Sequence, residues 1–184
     1  FPSTPGVLRT TYQGGKADGY ISKIKNDGTA LVSSTYWGTG AYDQSYFIQI
    51  DKDSNVYVVG QTEGLMPVTA GVYSNANSSQ FITRMNYTLT TLGFSTVFGN
   101  GSSSPNISPS AFLVDDCKNI YVSGWGGKIV TPITTTTGMP ITPGAIQPTT
   151  DGHNFYLFVL SADAITLIYA TYFGGASSWE HVDV

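Results

Sequence analysis

Charge is scarce in this chain. Asp, Glu, Lys and Arg make up 11% of its 184 residues, less than half the usual share of about 25%. The eight basic residues are scattered and the net charge is −4. That excludes the clustered Lys/Arg surface on which nucleic-acid binding depends. No stretch is rich in Ala, Leu, Glu and Lys, and none repeats apolar residues at helical spacing, which argues against a helical fold. No apolar run approaches the roughly 20 residues of a membrane span. Cys117 is the one cysteine, so no disulfide can form within the chain. Its neighbours Asp115, Asp116 and Lys118 make a net acidic setting, unfavourable to a thiolate nucleophile. The two histidines, His153 and His181, lie far apart and lack the H-E-x-x-H spacing of a zinc site. There is no G-x-S-x-G elbow and no phosphate loop before a helix. A pair of turn carboxylates could converge at an axis as glycosidase carboxylates do, but no spacing singles one out. The expectation is a protein without catalytic residues or cofactor.

Thr, Ser, Gly and Tyr fill the space that charge leaves, and these residues favour strands and turns. They are arranged in a repeat. Pro5-Gly6-Val7, Ala70-Gly71-Val72 and Pro143-Gly144-Ala145 open three units, 65 and then 73 residues apart. Thr35-Tyr36-Trp37-Gly38, Thr96-Val97-Phe98-Gly99 and Thr171-Tyr172-Phe173-Gly174 recur within them. Asn55 to Gly60 and Asn119 to Gly124 close the first two. The units are 1–66, 67–139 with a Thr-rich insertion, and 140–184, which stops before a closing element. Such a unit cannot bury its apolar face alone and must stack on its copies.

Each full unit carries four strand signals. Tyr20–Ile24 alternates into Asn26-Asp27-Gly28, where Asp-Gly supplies positive φ for a hairpin. Ala30–Tyr36, Tyr46–Ile50 and Val56–Gly60 follow. The second unit repeats this at Gln80–Met85, Leu92–Phe98, Ser110–Val114 and Ile120–Gly124, and the third at Phe155–Leu160 and Leu167–Phe173. Four short antiparallel strands per unit predict an all-β fold, a partial β-propeller of four-stranded blades. Two and a half units cannot close a ring of four to eight blades. The chain is therefore expected to be a fragment of a larger ring. Its remaining blades would come from the same parent chain or from neighbouring subunits. A stacked β-solenoid is the other architecture, but its repeats are usually shorter.

Thr35-Tyr36-Trp37-Gly38, the hairpin Asp51 to Thr62, and Met66-Pro67-Val68-Thr69-Ala70-Gly71-Val72-Tyr73 resemble the bacterial SBBP repeat, a β-propeller repeat. Thr171-Tyr172-Phe173-Gly174-Gly175 and Pro140-Ile141-Thr142-Pro143-Gly144-Ala145 are similar to its first and last elements. Val122-Ser123-Gly124-Trp125-Gly126-Gly127 and Glu180-His181-Val182-Asp183 further resemble large surface proteins of gliding, type IX-secreting bacteria. Asn86-Tyr87-Thr88 and Val97 depart from the pattern. The resemblance implies secretion and an extracellular, cell-surface location. It implies no reaction.

Asp51, Asp53 and Asn55 are the candidate metal ligands, because oxygen side chains at alternate positions begin a calcium loop. Val56 and Glu63 break that motif, and Asp115-Asp116-Cys117-Lys118-Asn119 lacks its middle oxygen, so a tight hairpin is the favoured reading. Trp125 and Trp179 are the candidate ligand platforms, since an exposed indole stacks on a sugar ring. Trp37, Phe98 and Phe173 share one place in the repeat, which predicts packing between sheets. The insertion from Gly126 to Met139, with Thr134-Thr135-Thr136-Thr137, reads as a solvated linker, or as a binding loop on a rigid scaffold. These residues lead to a non-enzymatic structural or adhesion module whose partner is a surface glycan or protein. The alternative is a glycan-binding or glycan-processing propeller with its site at the axis or in the loop 125–139.

Overall fold

The computed structural model describes residues 1–127 and 134–175. Among them there is no helix, and ten strands form: β1 (Gly19–Ile24), β2 (Leu31–Trp37), β3 (Asp43–Ile50), β4 (Val56–Thr62), β5 (Gln80–Met85), β6 (Leu92–Phe98), β7 (Ser108–Val114), β8 (Ile120–Trp125), β9 (Phe155–Leu160) and β10 (Leu167–Phe173). They pair into three antiparallel sheets: β1-β2, β3-β4-β5-β6 and β7-β8-β9-β10, none of them closed on itself.

The strands form where alternation predicts them, but the sheets are out of phase with the sequence units. Each four-stranded sheet joins the last two strands of one unit to the first two of the next. The reason lies in the connections. The short link 38–42 carries the chain from β2 across to the neighbouring sheet. The long connection 63–79 joins β4 to β5, which are direct hydrogen-bonded neighbours. It spends its length running along the far edge of the same sheet. There the Thr69 amide donates to the Ser95 carbonyl and the Asn75 amide to Val97.

The edge contact is repeated with little change. Thr4, Thr69 and Thr142 each donate an amide to the carbonyl of Ser34, Ser95 and Ala170. Their hydroxyls accept the amides of the same three residues at 3.0 Å. Gly6, Gly71 and Gly144, two residues on, hold φ of 80°, 84° and 81°. That is the left-handed position of a type II turn after Pro or Ala, which is why glycine stands in all three openings.

The middle sheet is covered on both faces. Val56, Val58, Phe81, Met85 and Val97 pack with Ile21 and Trp37 of the β1-β2 sheet. Tyr57, Val59, Ile82, Phe94 and Phe98 pack with Ile120, Val122, Tyr156, Phe158 and Tyr172 of the β7–β10 sheet. Successive side chains of a strand point to opposite faces, so β4 reads as a continuous buried run, Val56 to Gly60. The four-stranded sheets approach most closely through their first strands, β3 and β7. Gly60 sits where β3 bulges toward β4 between Ser45 and Phe47. A Cβ there would fall on the Gln44 carbonyl oxygen and the Phe81 ring, so close backbone approach requires glycine.

Candidate functional site

The candidate metal ligands are locked in a turn. Asp51 Oδ1 accepts the amides of Asp53 and Asn55 at 2.9 and 2.8 Å, and its Oδ2 accepts Asn55 Nδ2 at 2.9 Å and the Tyr57 hydroxyl at 3.1 Å. Burial raises the Asp51 pKa, but the bonds from Asn55, Tyr57 and Asp53 outweigh it, and the carboxyl is held below its usual range. Asp115 repeats the arrangement with the Asn119 amide, Asn119 Nδ2 and the Tyr121 hydroxyl. Asp53 pairs instead with Lys118, which stands in the equivalent turn of the next unit. With donors converging on Asp51 and Asn55 presenting its amide nitrogen, the geometry is that of a hairpin.

Trp37 and Phe98 fill the spaces between sheets. Trp37 is buried, donates Nε1 to the Thr83 hydroxyl at 3.0 Å, and lies under the Arg9 guanidinium, 5.0 Å from its ring centre. Phe98 stacks on Phe158 with ring centres 4.8 Å apart. Phe173, at the same place in the repeat, is 59% exposed, because among the described residues no further sheet covers the face it occupies. Trp125 ends β8 opposite Phe155 and is half-buried. Trp179, His181 and residues 128–133 lie outside the described residues. Cys117 is exposed in the β7–β8 turn.

The Thr tract is a packed strap, not a solvated linker. Thr134 and Thr136 are buried while Thr135 and Thr137 face outward. Thr134 and Gly127 exchange backbone hydrogen bonds, and Thr136 donates its amide to Gly152. Asn106 and Asn100 donate side-chain amides to the carbonyls of Thr135 and Thr137. Asparagine donors from the preceding loop thus satisfy the tract's backbone, which a run of threonines does not reveal.

Two groupings appear only in three dimensions. Asp18 and Asp43 converge on Gly38, whose missing Cβ leaves room for both carboxylates. Asp43 Oδ2 accepts the amide and hydroxyl of Thr39, and Asp18 Oδ2 accepts the Gln13 amide. Each Oδ1, and the Ser45 hydroxyl, is buried without a hydrogen-bond partner among the described residues. These are the oxygens best placed to hold a cation. Asn106, just before β7 in the next unit, plays the part of Asp43: it lies against Gly99 and accepts the Asn100 amide, so the turn accounts for one carboxylate without a ligand. Among the described residues no group of three or more His, Cys, Asp or Glu is placed to hold a metal ion.

Desolvation pushes the Asp18 pKa up, with the Asp43 charge adding to it and the Gln13 amide and Arg9 opposing. A carboxyl with a raised folded pKa favours folding most below its unfolded pKa, and that contribution is lost as pH rises through the folded value. Asp18→Asn is therefore expected to raise the melting temperature at pH 7. The gain should vanish in acid below the usual Asp range, where Asp18 itself carries the proton. Thermal melts of both proteins across that range check it. An equal gain at every pH would show that charge is not the cause.

The second grouping is the outer face of β7–β10. Tyr121, Leu157, Tyr169 and Phe173 occupy the places of Tyr57, Ile82, Phe94 and Phe98 in the middle sheet. There the four are buried; here Leu157 and Tyr121 are each 37% exposed. They line an open apolar groove of about 380 Å³ with Leu113, Val159 and their neighbours. An exposed patch of this kind marks an interaction surface. Phe155-Tyr156-Leu157-Phe158-Val159-Leu160, apolar at every position, is the signal in the sequence that both faces of β9 are meant to be covered.

No protein-family model matches the chain, and no curated protein matches it.

Proposed function

We propose that this chain is a structural and interaction segment of a secreted, cell-surface β-propeller, which builds and presents surface rather than transforming a substrate. The observation that carries this reading is the apolar outer face of β7–β10. It is made by the same repeat positions that hold the sheets together inside the molecule. The radial arrangement of a propeller is supported by the close approach of the first strands, β3 and β7, and by the outer edges β2, β6 and β10, each lined by a connection. The resemblance of the repeat to the SBBP type supports secretion and a bacterial surface.

A glycan array, read for both binding and turnover, tests the reading against the glycan alternative. The expected result is no sugar retained saturably and none cleaved. Saturable binding lost on Trp125→Ala would replace the reading with a glycan-binding propeller. Turnover of any glycan would replace it with an enzyme.

A further inference from the structure

Two interfaces between sheets are visible, and they are built alike. In each, a residue from the opening of one unit donates its amide to the carbonyl of a left-handed hairpin residue in the next sheet. Leu8 donates to Leu89 at 2.8 Å and Tyr73 to Ala164 at 2.7 Å. Leu89 and Ala164 hold φ of 59° and 61°. In each, the aromatic that ends the outer strand crosses to the middle of the facing strand: Trp37 to Thr83, and Phe98 to Phe158.

The chain exposes both halves of a third such interface, one at either end of the stack. The donor half is on the β9-β10 side. Ile146, equivalent to Leu8 and Tyr73, is 79% exposed, and its amide is held by the Tyr169 hydroxyl. Leu157 and Phe173 are exposed on the same outer face of β9-β10. The acceptor half is the outer face of β1-β2. Gly28, equivalent to Leu89 and Ala164, holds φ of 73°, and no described amide reaches its carbonyl. Tyr20, Ile24 and Tyr36 take the places of Phe81, Met85 and Val97, which in the middle sheet are buried against β1-β2. Phe1 stacks on Tyr20 at 4.5 Å and extends the apolar face. Ser22 occupies the place of Thr83, the seat of Trp37.

We propose that the outer face of β9-β10 binds the β1-β2 face of a second copy of this chain, head to tail. Ile146 donates to the Gly28 carbonyl of the second copy, and Phe173 settles over its Ser22. The inference rests on the interaction-module reading above and names the partner of that surface. The contact is heterologous, because the two patches differ, so it leaves one donor and one acceptor face open after every addition. Copies therefore add to open chains or to a ring, and do not stop at an isologous pair.

Sedimentation velocity of the full chain over a wide concentration range tests this, with Leu157→Glu to block the donor face and Ile24→Glu to block the acceptor face. Both side chains are exposed. The wild type is expected to form a concentration-dependent series extending past the dimer, and each variant alone to stay monomeric. An equimolar mixture of the two variants is expected to form dimers and nothing larger, since one intact face of each kind remains. Such dimers also show that both variants fold. A monomeric wild type would overturn the inference, as would a mixture of variants that fails to associate. Turnover on the glycan array would overturn the functional reading whatever the sedimentation result, so the two failures are distinct.

Discussion

Phe98→Ala is expected to lower the stability of the chain by about 3–5 kcal/mol, the usual cost of deleting a buried aromatic. Phe173→Ala, at the same place in the repeat, is expected to leave the isolated monomer almost unchanged. The difference is one of burial. Phe98 is 1% exposed and rests flat on Phe158, whereas Phe173 is 59% exposed. Trp37→Ala should fall with Phe98, because it empties the space between β1-β2 and the middle sheet and also removes the indole N–H that donates to the Thr83 hydroxyl. Urea denaturation of the three variants, at concentrations where the chain is monomeric, reads the differences directly. Equal losses at Phe98 and Phe173 would mean that the outer face of β7–β10 is covered in the monomer.

Asp51→Ala is expected to cost about 2–4 kcal/mol, since it removes a charged acceptor and leaves buried donors unsatisfied. The Tyr57 hydroxyl is the donor most deeply enclosed, on a side chain with no exposed surface. Asp115→Ala, in the more open equivalent turn, should lower the melting temperature less. The loss at Asp51 should also depend on pH. Its hydrogen bonds hold the folded pKa below the ordinary aspartate range, so its contribution is present above the unfolded pKa and is lost as pH falls through the folded one. Wild type and Asp51→Ala should therefore converge in stability as the solution is acidified past that range. Stability curves of both proteins from neutral to strongly acidic pH check this. A constant gap would assign the role to packing and not to the carboxylate.

Much of the fold was legible in the sequence, because strands announce themselves locally. Tyr20–Ile24, Gln80–Met85 and Phe155–Leu160 lie within a residue of the observed strands β1, β5 and β9. The Asp51 turn was legible for the same reason: its acceptor and its donors fall within six residues. Sheet membership was not. A short link such as 38–42 suggests that its two strands pair, yet it crosses between sheets, while the 17-residue connection 63–79 joins partners. What decides is the free outer edge of β6, whose carbonyls and amides need the Thr69 to Asn75 segment. That demand is non-local. The Asp18–Asp43 pair is invisible for a similar reason, since a glycine 20 residues from one carboxylate and five from the other brings them together. The unlike fates of Phe98 and Phe173 depend on a neighbour and not on any residue of their own strands.

The threonine-held connections have a consequence for misassembly. An exposed strand edge is a template on which foreign strands add, the route to amyloid-like ladders. Here the outer edges of β2, β6 and β10 are already occupied by the chain's own backbone at Ser34, Ser95 and Ala170. A foreign strand must first evict a segment fixed at both its amide and its threonine hydroxyl. The sheets are apolar on their faces and blunted along their outer rims, a division that lets identical units pack face to face without zipping into fibrils.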